Sequence, residues 1–217
     1  MRNIVVTIMF AAAPLWSDAR PQGAKQADID GTEDRAVLTA VINQTIRPEV
    51  QRLTHLGPSA ILFLIDHTTT TCDVPRSPRS QPFCTGANAA EWLRDGQTTG
   101  ITSMAVGPIP AEVIPSAAHR AELIASLKAR NADRHVLPIS EGIDIKLVDA
   151  PPVTKTPSGG TSTSYTVFSL PGYSSAGQAV VSAFYDCGGR CGTSWLWLLE
   201  RRGADWQVRA RYVVGMF

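Results

Sequence analysis

The sequence predicts an α+β fold in which an antiparallel meander sheet of about four to six strands carries two main helices packed on one face. Two observations lead to this fold class. Four β-like runs fill the C-terminal part of the chain, and short turns containing glycine join the last three of them. Two upstream stretches place apolar residues at helical spacing, which predicts helices that cover the sheet. The β-like runs lie at 165–170, 178–186, 193–202 and 206–214.

The last of these runs alternates between apolar and polar residues. Trp206, Val208, Ala210 and Tyr212 occupy every second position, which predicts that they share one packed face. The run 195–199 is apolar at every position instead. That strand is therefore expected to be covered on both sides, and a helix laid across the sheet would provide this cover.

The two helices have recognisable ends. The first is expected to begin at Thr32, which is suited to N-capping, and to end or kink at Pro48. The second is expected to begin after the N-cap Ser116 and to stop at Asn131. Further strands are predicted at 59–68, 100–106 and 143–147.

The N-terminus is typical of a secretory signal peptide over 1–19. It has a basic start, a short apolar run, and small residues at Ser17 and Ala19 before the expected cleavage site. The following residues, 20–31, are polar and predict a disordered leader. The protein is therefore expected to be periplasmic or extracellular.

The remainder, 32–217, is expected to form a single α+β domain. Two irregular segments are predicted within it. One is a disulfide-tied loop at 72–84, and the other is a flexible loop at 150–164 that is rich in Pro, Gly, Ser and Thr.

Charge and hydropathy argue against two classes of partner. The chain has 20 Lys and Arg residues against 19 Asp and Glu residues, with no basic stripe, so nucleic acid is not expected. After the N-terminus, no apolar run reaches the roughly 18 residues of a membrane span. The expected partner is an unknown small molecule or an envelope protein, and the oligomeric state is left open.

Four cysteines, Cys72, Cys84, Cys187 and Cys191, predict disulfide bonds in a chain that is expected to be exported. Three pairings are possible. The local one joins Cys72 to Cys84 and joins Cys187 to Cys191 across a tight glycine turn. The spacing does not fit the common zinc motifs, so we expect no metal site and no cofactor.

The second cysteine pair also belongs to a longer pattern, formed by Cys187, Gly188, Gly189, Cys191, Gly192, Leu199, Glu200 and Trp206. Through this pattern, the last quarter of the chain resembles uncharacterised small exported bacterial proteins. In those proteins, a C-G-x-x-C-G-type turn joins two strands, and a Leu-Glu-Lys/Arg…Trp hairpin follows. The resemblance implies an α+β domain of unknown function and transfers no catalytic residue.

Asp66 and His67 are the candidate catalytic residues, because they follow the apolar run 61–65 at the expected end of a strand. The alternative is that Asp66 caps a turn and His67 is a solvated loop residue. No nucleophile elbow and no phosphate-binding loop accompanies them. A small exported hydrolase using Asp66 and His67 is therefore the second interpretation of function.

The main interpretation is a non-catalytic module that binds a ligand or a protein. Tyr185, Trp195 and Trp197 are candidate pocket residues, with the core as their alternative location. Arg76 and Arg79, in the proline-rich loop, are candidates for contacting an anionic ligand, with ordinary solvation as the alternative. By fold analogy alone, a helix over a curved sheet would leave a concave apolar pocket for the ligand.

Overall fold

The computed structural model describes residues 31–48, 62–68, 99–102, 105–108, 111–142, 145–151, 154–155, 161–162, 164–186 and 192–216. Several predictions lie outside these residues. They are the signal peptide, the leader up to residue 30, the loop 72–84 with Arg76 and Arg79, and the four cysteines Cys72, Cys84, Cys187 and Cys191.

The first predicted helix is present as α1, which spans Gly31–Val41. Glu33 and Asp34 lie in its first turn, where negative charge interacts favourably with the helix dipole. The helix continues as a π-helical segment, Ile42–Ile46. Within this segment the Thr45 hydroxyl donates a hydrogen bond to the Val41 carbonyl at 2.6 Å, a backbone contact that often accompanies a distorted helix.

The second predicted helix is present as α2, which spans Ala117–Arg130. The Ser116 hydroxyl accepts a hydrogen bond from the N–H of His119 at 3.3 Å, so Ser116 is the N-cap that the sequence predicted. A short 3₁₀ helix, Ala111–Val113, precedes α2.

Nine strands of the described residues form one sheet. In chain order, the strands that the described residues form are β1 (Leu62–Ile65), β2 (Thr99–Thr102), β3 (Ala105–Pro108), β4 (Ile145–Val148), β5 (Thr154–Lys155), β6 (Thr161–Ser162), β7 (Tyr165–Phe168), β8 (Gly172–Tyr173), β9 (Gln178–Asp186), β10 (Gly192–Arg202) and β11 (Asp205–Met216). The sheet order is β3-β2-β11-β10-β9-β7-β1-β4, and β8 also pairs with β9. β5 and β6 pair separately, within the segment 150–164 that was predicted to be a flexible loop.

The fold is α+β, as predicted, but the sheet is mixed rather than an antiparallel meander, and it has more strands than expected. β9, β10 and β11 are antiparallel neighbours, in agreement with the short turns between them. β1 is instead parallel to both β4 and β7. Parallel strands require a long crossover connection, so no local turn in the sequence reveals their pairing. The uninterrupted apolar run of β1 is the remaining sign of a strand covered on both faces.

The two helices do not share one face of the sheet, and this prediction was wrong. Val37 and Leu38 of α1 belong to the same buried cluster as Val181 of β9, whereas Leu123 of α2 belongs to the cluster that contains the next residue, Val180. Because successive side chains of a strand point to opposite faces, α1 and α2 lie on opposite sides. The doubly apolar run of β10 is explained by this arrangement.

The prediction that alternate residues of β11 share one face was wrong, because β11 contains a β-bulge. Leu198 of β10 pairs with Ala210, but the next residue, Leu199, pairs with Val208, so Arg209 is the extra residue. Trp206 and Val208 consequently pack on the α1 side, whereas Ala210 and Tyr212 pack on the α2 side. One strand therefore contributes to both cores.

Gln44, in the π-helical segment, attaches α1 to β11 beside this bulge. Its side-chain amide donates a hydrogen bond to the Trp206 carbonyl at 2.8 Å, and its Oε1 accepts one from the Val208 N–H at 2.9 Å. Trp206 and Val208 both precede the extra residue, Arg209, in the strand. The side chain of Gln44 thus satisfies two backbone groups of β11.

Candidate functional site

Asp66 and His67 lie in extended chain that prolongs β1, and not in a solvated loop. The Thr68 N–H donates to the His135 carbonyl at 2.7 Å, and the Leu137 N–H donates to the Asp66 carbonyl at 2.8 Å. His67 forms an isolated antiparallel bridge with Val136. The His67 side chain is only 14% exposed, whereas that of Asp66 is 40% exposed. Backbone hydrogen bonds therefore hold the dipeptide in place.

The side chains of Asp66 and His67 form a close acid–base pair. His67 Nδ1 lies 2.5 Å from Asp66 Oδ1. Asp66 therefore contacts the imidazole through Nδ1, and Nε2 is the ring nitrogen that Asp66 does not contact. This is the orientation that a carboxylate imposes on a histidine acting as a base or a metal ligand.

Arg134 completes the group, and sequence analysis missed it. Its Nη2 lies 2.9 Å from His67 Nδ1, although 67 positions separate the two residues. Among the described residues, no carboxylate lies within ion-pair distance of Arg134. No local motif links the segments 66–68 and 134–137; the pairing of β1 with the chain after α2 brings them together.

The group lies at the edge of the sheet where two parallel strands end. The Asp66 N–H donates to the carbonyl of Val148, the last residue of β4, at 2.9 Å. The carboxyl ends of parallel strands are the common position of ligand sites in open sheets that contain helices. Within the described part of the chain, no cluster of three or more His, Cys, Asp and Glu side chains could hold a metal ion.

The structure separates the three aromatic candidates. Trp197 is 2% exposed and packs against Phe168, with ring centroids 6.0 Å apart, so it is a core residue. Trp195 is only partly buried, and Tyr185 is 38% exposed. The Trp195 and Trp197 ring centroids are 6.3 Å apart, so the ring of Trp195 packs against a core residue.

Tyr185, Trp195 and Arg211 form a diagonal row across β9, β10 and β11, which we call the aromatic platform. Trp195 pairs with Ala183, two residues from Tyr185, so the two rings are diagonal neighbours on one face. The Arg211 guanidinium carbon lies 4.2 Å from the Trp195 ring centroid, in cation–π geometry. Burial raises the pKa of Tyr185, which keeps its hydroxyl neutral.

A second, largely buried charged cluster connects the two helices, and sequence analysis missed it too. Arg130 donates to both carboxylate oxygens of Asp34, at 2.8 and 2.7 Å, and donates to the Pro171 carbonyl at 2.7 Å. The Tyr173 hydroxyl donates to Asp34 at 2.8 Å. Burial and the Asp34 charge raise the pKa of Tyr173. Because these groups satisfy one another, the cluster is a structural link between α1, α2 and β8.

No protein-family profile, curated protein sequence or solved structure matches this chain. The resemblance of the last quarter to small exported bacterial proteins therefore stays a prediction. In the part of the chain that the structure describes, no helix is long and apolar enough to cross a membrane.

Proposed function

We propose that this protein is an exported, non-catalytic binding module whose ligand docks on the aromatic platform of Tyr185, Trp195 and Arg211. One observation carries the proposal. An exposed tyrosine ring and a partly exposed tryptophan ring occupy diagonal positions on one face of the sheet, and Arg211 lies over the tryptophan. Rigid aromatic side chains offer a large contact area and lose little conformational entropy on binding.

This surface suits ligands that contain a ring with an accessible flat face. The platform is backed by Trp197, which is fixed in the core, so Trp195 is held in position before a ligand arrives. Sugar rings present such a face and are abundant in the cell envelope, where export would bring the protein. We therefore propose a glycan of the envelope as the ligand.

The test uses N-acetylchitotriose as a soluble probe and isothermal titration calorimetry as the measurement. We expect Trp195→Ala to weaken binding by about tenfold or more, because it removes a stacking surface worth about 1.4 kcal/mol. Val136→Ala is the matched control, since Val136 is 79% exposed and lies outside the platform. Equal binding by the wild type and the Trp195→Ala variant would rule out the platform, and no binding by the wild type would rule out this glycan.

The second candidate function is a small exported hydrolase, and the 2.5 Å contact between Asp66 and His67 favours it. His67 Nε2 would take a proton from water as the water attacks an ester carbonyl, and would return that proton to the departing alkoxide. Hydrolysis of p-nitrophenyl acetate should then be lost in His67→Gln and kept in His119→Gln. Equal rates in both variants would exclude this mechanism.

A further inference from the structure

We propose that His67 is a pH-sensitive switch between two charged partners. Its neutral ring accepts a hydrogen bond from Arg134, and its protonated ring donates one to Asp66 instead. The switch lies at the end of β1, on a different strand from the residues of the aromatic platform. It depends neither on glycan binding nor on hydrolysis, because it follows from two contacts that compete for one nitrogen atom.

Both contacts are made by the same ring nitrogen. His67 Nδ1 lies 2.5 Å from Asp66 Oδ1 and 2.9 Å from Arg134 Nη2. A ring nitrogen holds either a proton, which it donates, or a lone pair, with which it accepts, whereas a carboxylate only accepts and a guanidinium only donates. Nδ1 therefore cannot form hydrogen bonds with both partners at once. The presence or absence of its proton decides which partner it binds.

The protonated ring can bind Asp66 but not Arg134. Both nitrogens of an imidazolium carry protons, so Nδ1 then has no lone pair for the guanidinium. The positive charge of the ring also repels Arg134 and attracts the Asp66 carboxylate. Histidine ordinarily gains its second proton between about pH 8 and about pH 5. Acidification over this interval is therefore expected to release Arg134.

The neutral ring is expected to bind Arg134. The His67 side chain is 14% exposed, so a lone pair on Nδ1 is partly shielded from water and is stabilised by the donor that lies 2.9 Å away. Among the described residues, no carboxylate lies within ion-pair distance of Arg134 to compete for that donor. The Asp66 side chain is 40% exposed, so water can hydrate its carboxylate while the ring does not donate to it.

Backbone hydrogen bonds keep the two partners close to the ring in both states. The Thr68 N–H donates to the His135 carbonyl at 2.7 Å, and the Leu137 N–H donates to the Asp66 carbonyl at 2.8 Å. These bonds place the segment that carries Arg134 beside the end of β1. Because Arg134 itself is exposed, its side chain can move into solvent without any change in the backbone.

Other ionisable side chains lie on the segments around the switch. Among the described residues, Asp66 and Arg134 are the charged groups in hydrogen-bond contact with the His67 ring. The neighbouring segment after α2 and the residue after β4 add Asp133, His135 and Asp149. The effect of His135, which ordinarily titrates in the same interval, has to be separated by a variant.

The experiment follows the His67 ring and the Arg134 guanidinium by ¹⁵N NMR between about pH 8 and about pH 5. At the upper pH we expect an unprotonated Nδ1 and separate signals for the two Nη groups, because a bound guanidinium rotates slowly about its Nε–Cζ bond. At the lower pH we expect both ring nitrogens to be protonated and the two Nη signals to average. The two changes should have the same midpoint.

Three variants identify the groups responsible. His67→Gln assigns the ring signals, and it should make the Arg134 signals the same at both pH values because no titrating ring remains. His135→Gln, at an exposed histidine of the same segment, is the matched control and should keep the switch. Asp66→Asn should move the midpoint to lower pH by about half a unit or more, because the imidazolium loses its carboxylate.

Several results would refute the switch. They are a proton on Nδ1 at about pH 8, a ring that stays neutral at about pH 5, and Arg134 signals that do not change or that change equally in His67→Gln. A proton on Nδ1 of the neutral ring would leave Nε2 free to act as a base, so that result would favour the hydrolase instead. Trp195→Ala should leave the titration unchanged, which separates failure of the platform from failure of the switch.

Discussion

Arg130 connects parts of the chain that are far apart in the sequence. It is 13% exposed in its side chain and forms a bidentate pair with Asp34, which is 5% exposed. Replacing it with methionine would leave the Asp34 carboxylate buried without its cation. We expect Arg130→Met to lower the free energy of unfolding by about 3–5 kcal/mol, as measured by urea denaturation.

The matched control is Arg202→Met. Arg202 also faces a carboxylate, Glu200, but both side chains are largely exposed and their atoms are 3.4 Å apart. Exposed pairs contribute about 0–1 kcal/mol, so this variant should unfold nearly like the wild type. Similar losses in the two variants would mean that burial of the Asp34 pair does not matter.

The buried tyrosines predict a loss of stability in alkali. Burial raises the pKa of Tyr165 and of Tyr212 from 10.0 to about 12. The unfolded chain therefore loses these protons at a lower pH than the folded protein does. Their contribution to stability is fully present below pH 10 and is lost as the pH rises from about 10 to about 12.

The measurement is urea denaturation at several pH values across that interval, on the wild type and on the double variant Tyr165→Phe, Tyr212→Phe. We expect the free energy of unfolding of the variant to fall less steeply with pH, even if its stability at neutral pH is lower. The same slope in both proteins would contradict the assignment of raised pKa values to these two residues.

At the scale of single residues, the sequence predicted contacts between neighbours better than contacts between residues far apart in the chain. Asp66 and His67 could be paired because they are adjacent and follow an apolar run. Arg134 could not be added, since it reaches them through strand pairing across 67 positions. Asp34 and Arg130, 96 positions apart, were missed for the same reason. Trp195 and Trp197 are two tryptophans at alternate positions of one strand, so the sequence does not distinguish them. Only the packing of the whole sheet places Trp195 at the surface and Trp197 in the core.

At the scale of elements, α2 packs very closely against β8. A Cβ atom at Gly172 would lie 2.6 Å from the backbone nitrogen of Leu127 and 2.7 Å from the Leu123 carbonyl oxygen. Both are backbone atoms, so no side chain can rotate away to make room. We expect Gly172→Ala to lower the free energy of unfolding by about 1–3 kcal/mol or more in urea denaturation.

Gly31→Ala is the control for this prediction. A Cβ at Gly31 would meet nothing within 4 Å, so the change in the free energy of unfolding should stay within about 0.5 kcal/mol. If Gly172→Ala were equally harmless, the helix and the strand would not be as close as the structure places them.

The elements themselves were more predictable than their arrangement. Ser116 marked the start of α2, and the turns between β9, β10 and β11 marked their antiparallel pairing. The side of the sheet on which each helix lies was not predictable, because an amphipathic stripe shows that a helix is covered but not by which face. The bulge at Arg209 was also hidden, since an extra residue reverses the alternation of β11 without any glycine or proline to mark it.

At the scale of the whole molecule, two helices on opposite faces change where a ligand can bind. The predicted arrangement, with both helices on one face, would have left a concave pocket between helix and sheet. In the structure, Val37 and Leu38 fill the space on one side, and Leu123 and Leu127 fill it on the other. Within the described residues, the remaining candidates are therefore the part of the sheet that carries the aromatic platform and the edge where β1 and β4 end.

The last prediction concerns export and the oxidation state of the whole chain. The sequence predicts removal of residues 1–19 and two disulfide bonds among four cysteines. We expect the intact mass of the protein recovered from the periplasm or the medium to lack the signal peptide. We also expect no thiol to be alkylated before reduction and four to be alkylated after it. Disulfides formed in an oxidising compartment resist alkylation until a reductant opens them, which is the reason for this difference.

The number of free thiols also decides which residues are the leading candidates for a functional site. If the four cysteines are protected before reduction, they are structural, and the aromatic platform and the Asp66–His67–Arg134 site stay the leading candidates. If two or more thiols react before reduction in metal-stripped protein, the predicted disulfides are wrong. Cys187 and Cys191, which have three residues between them in the sequence, would then be the first candidates for redox or metal chemistry.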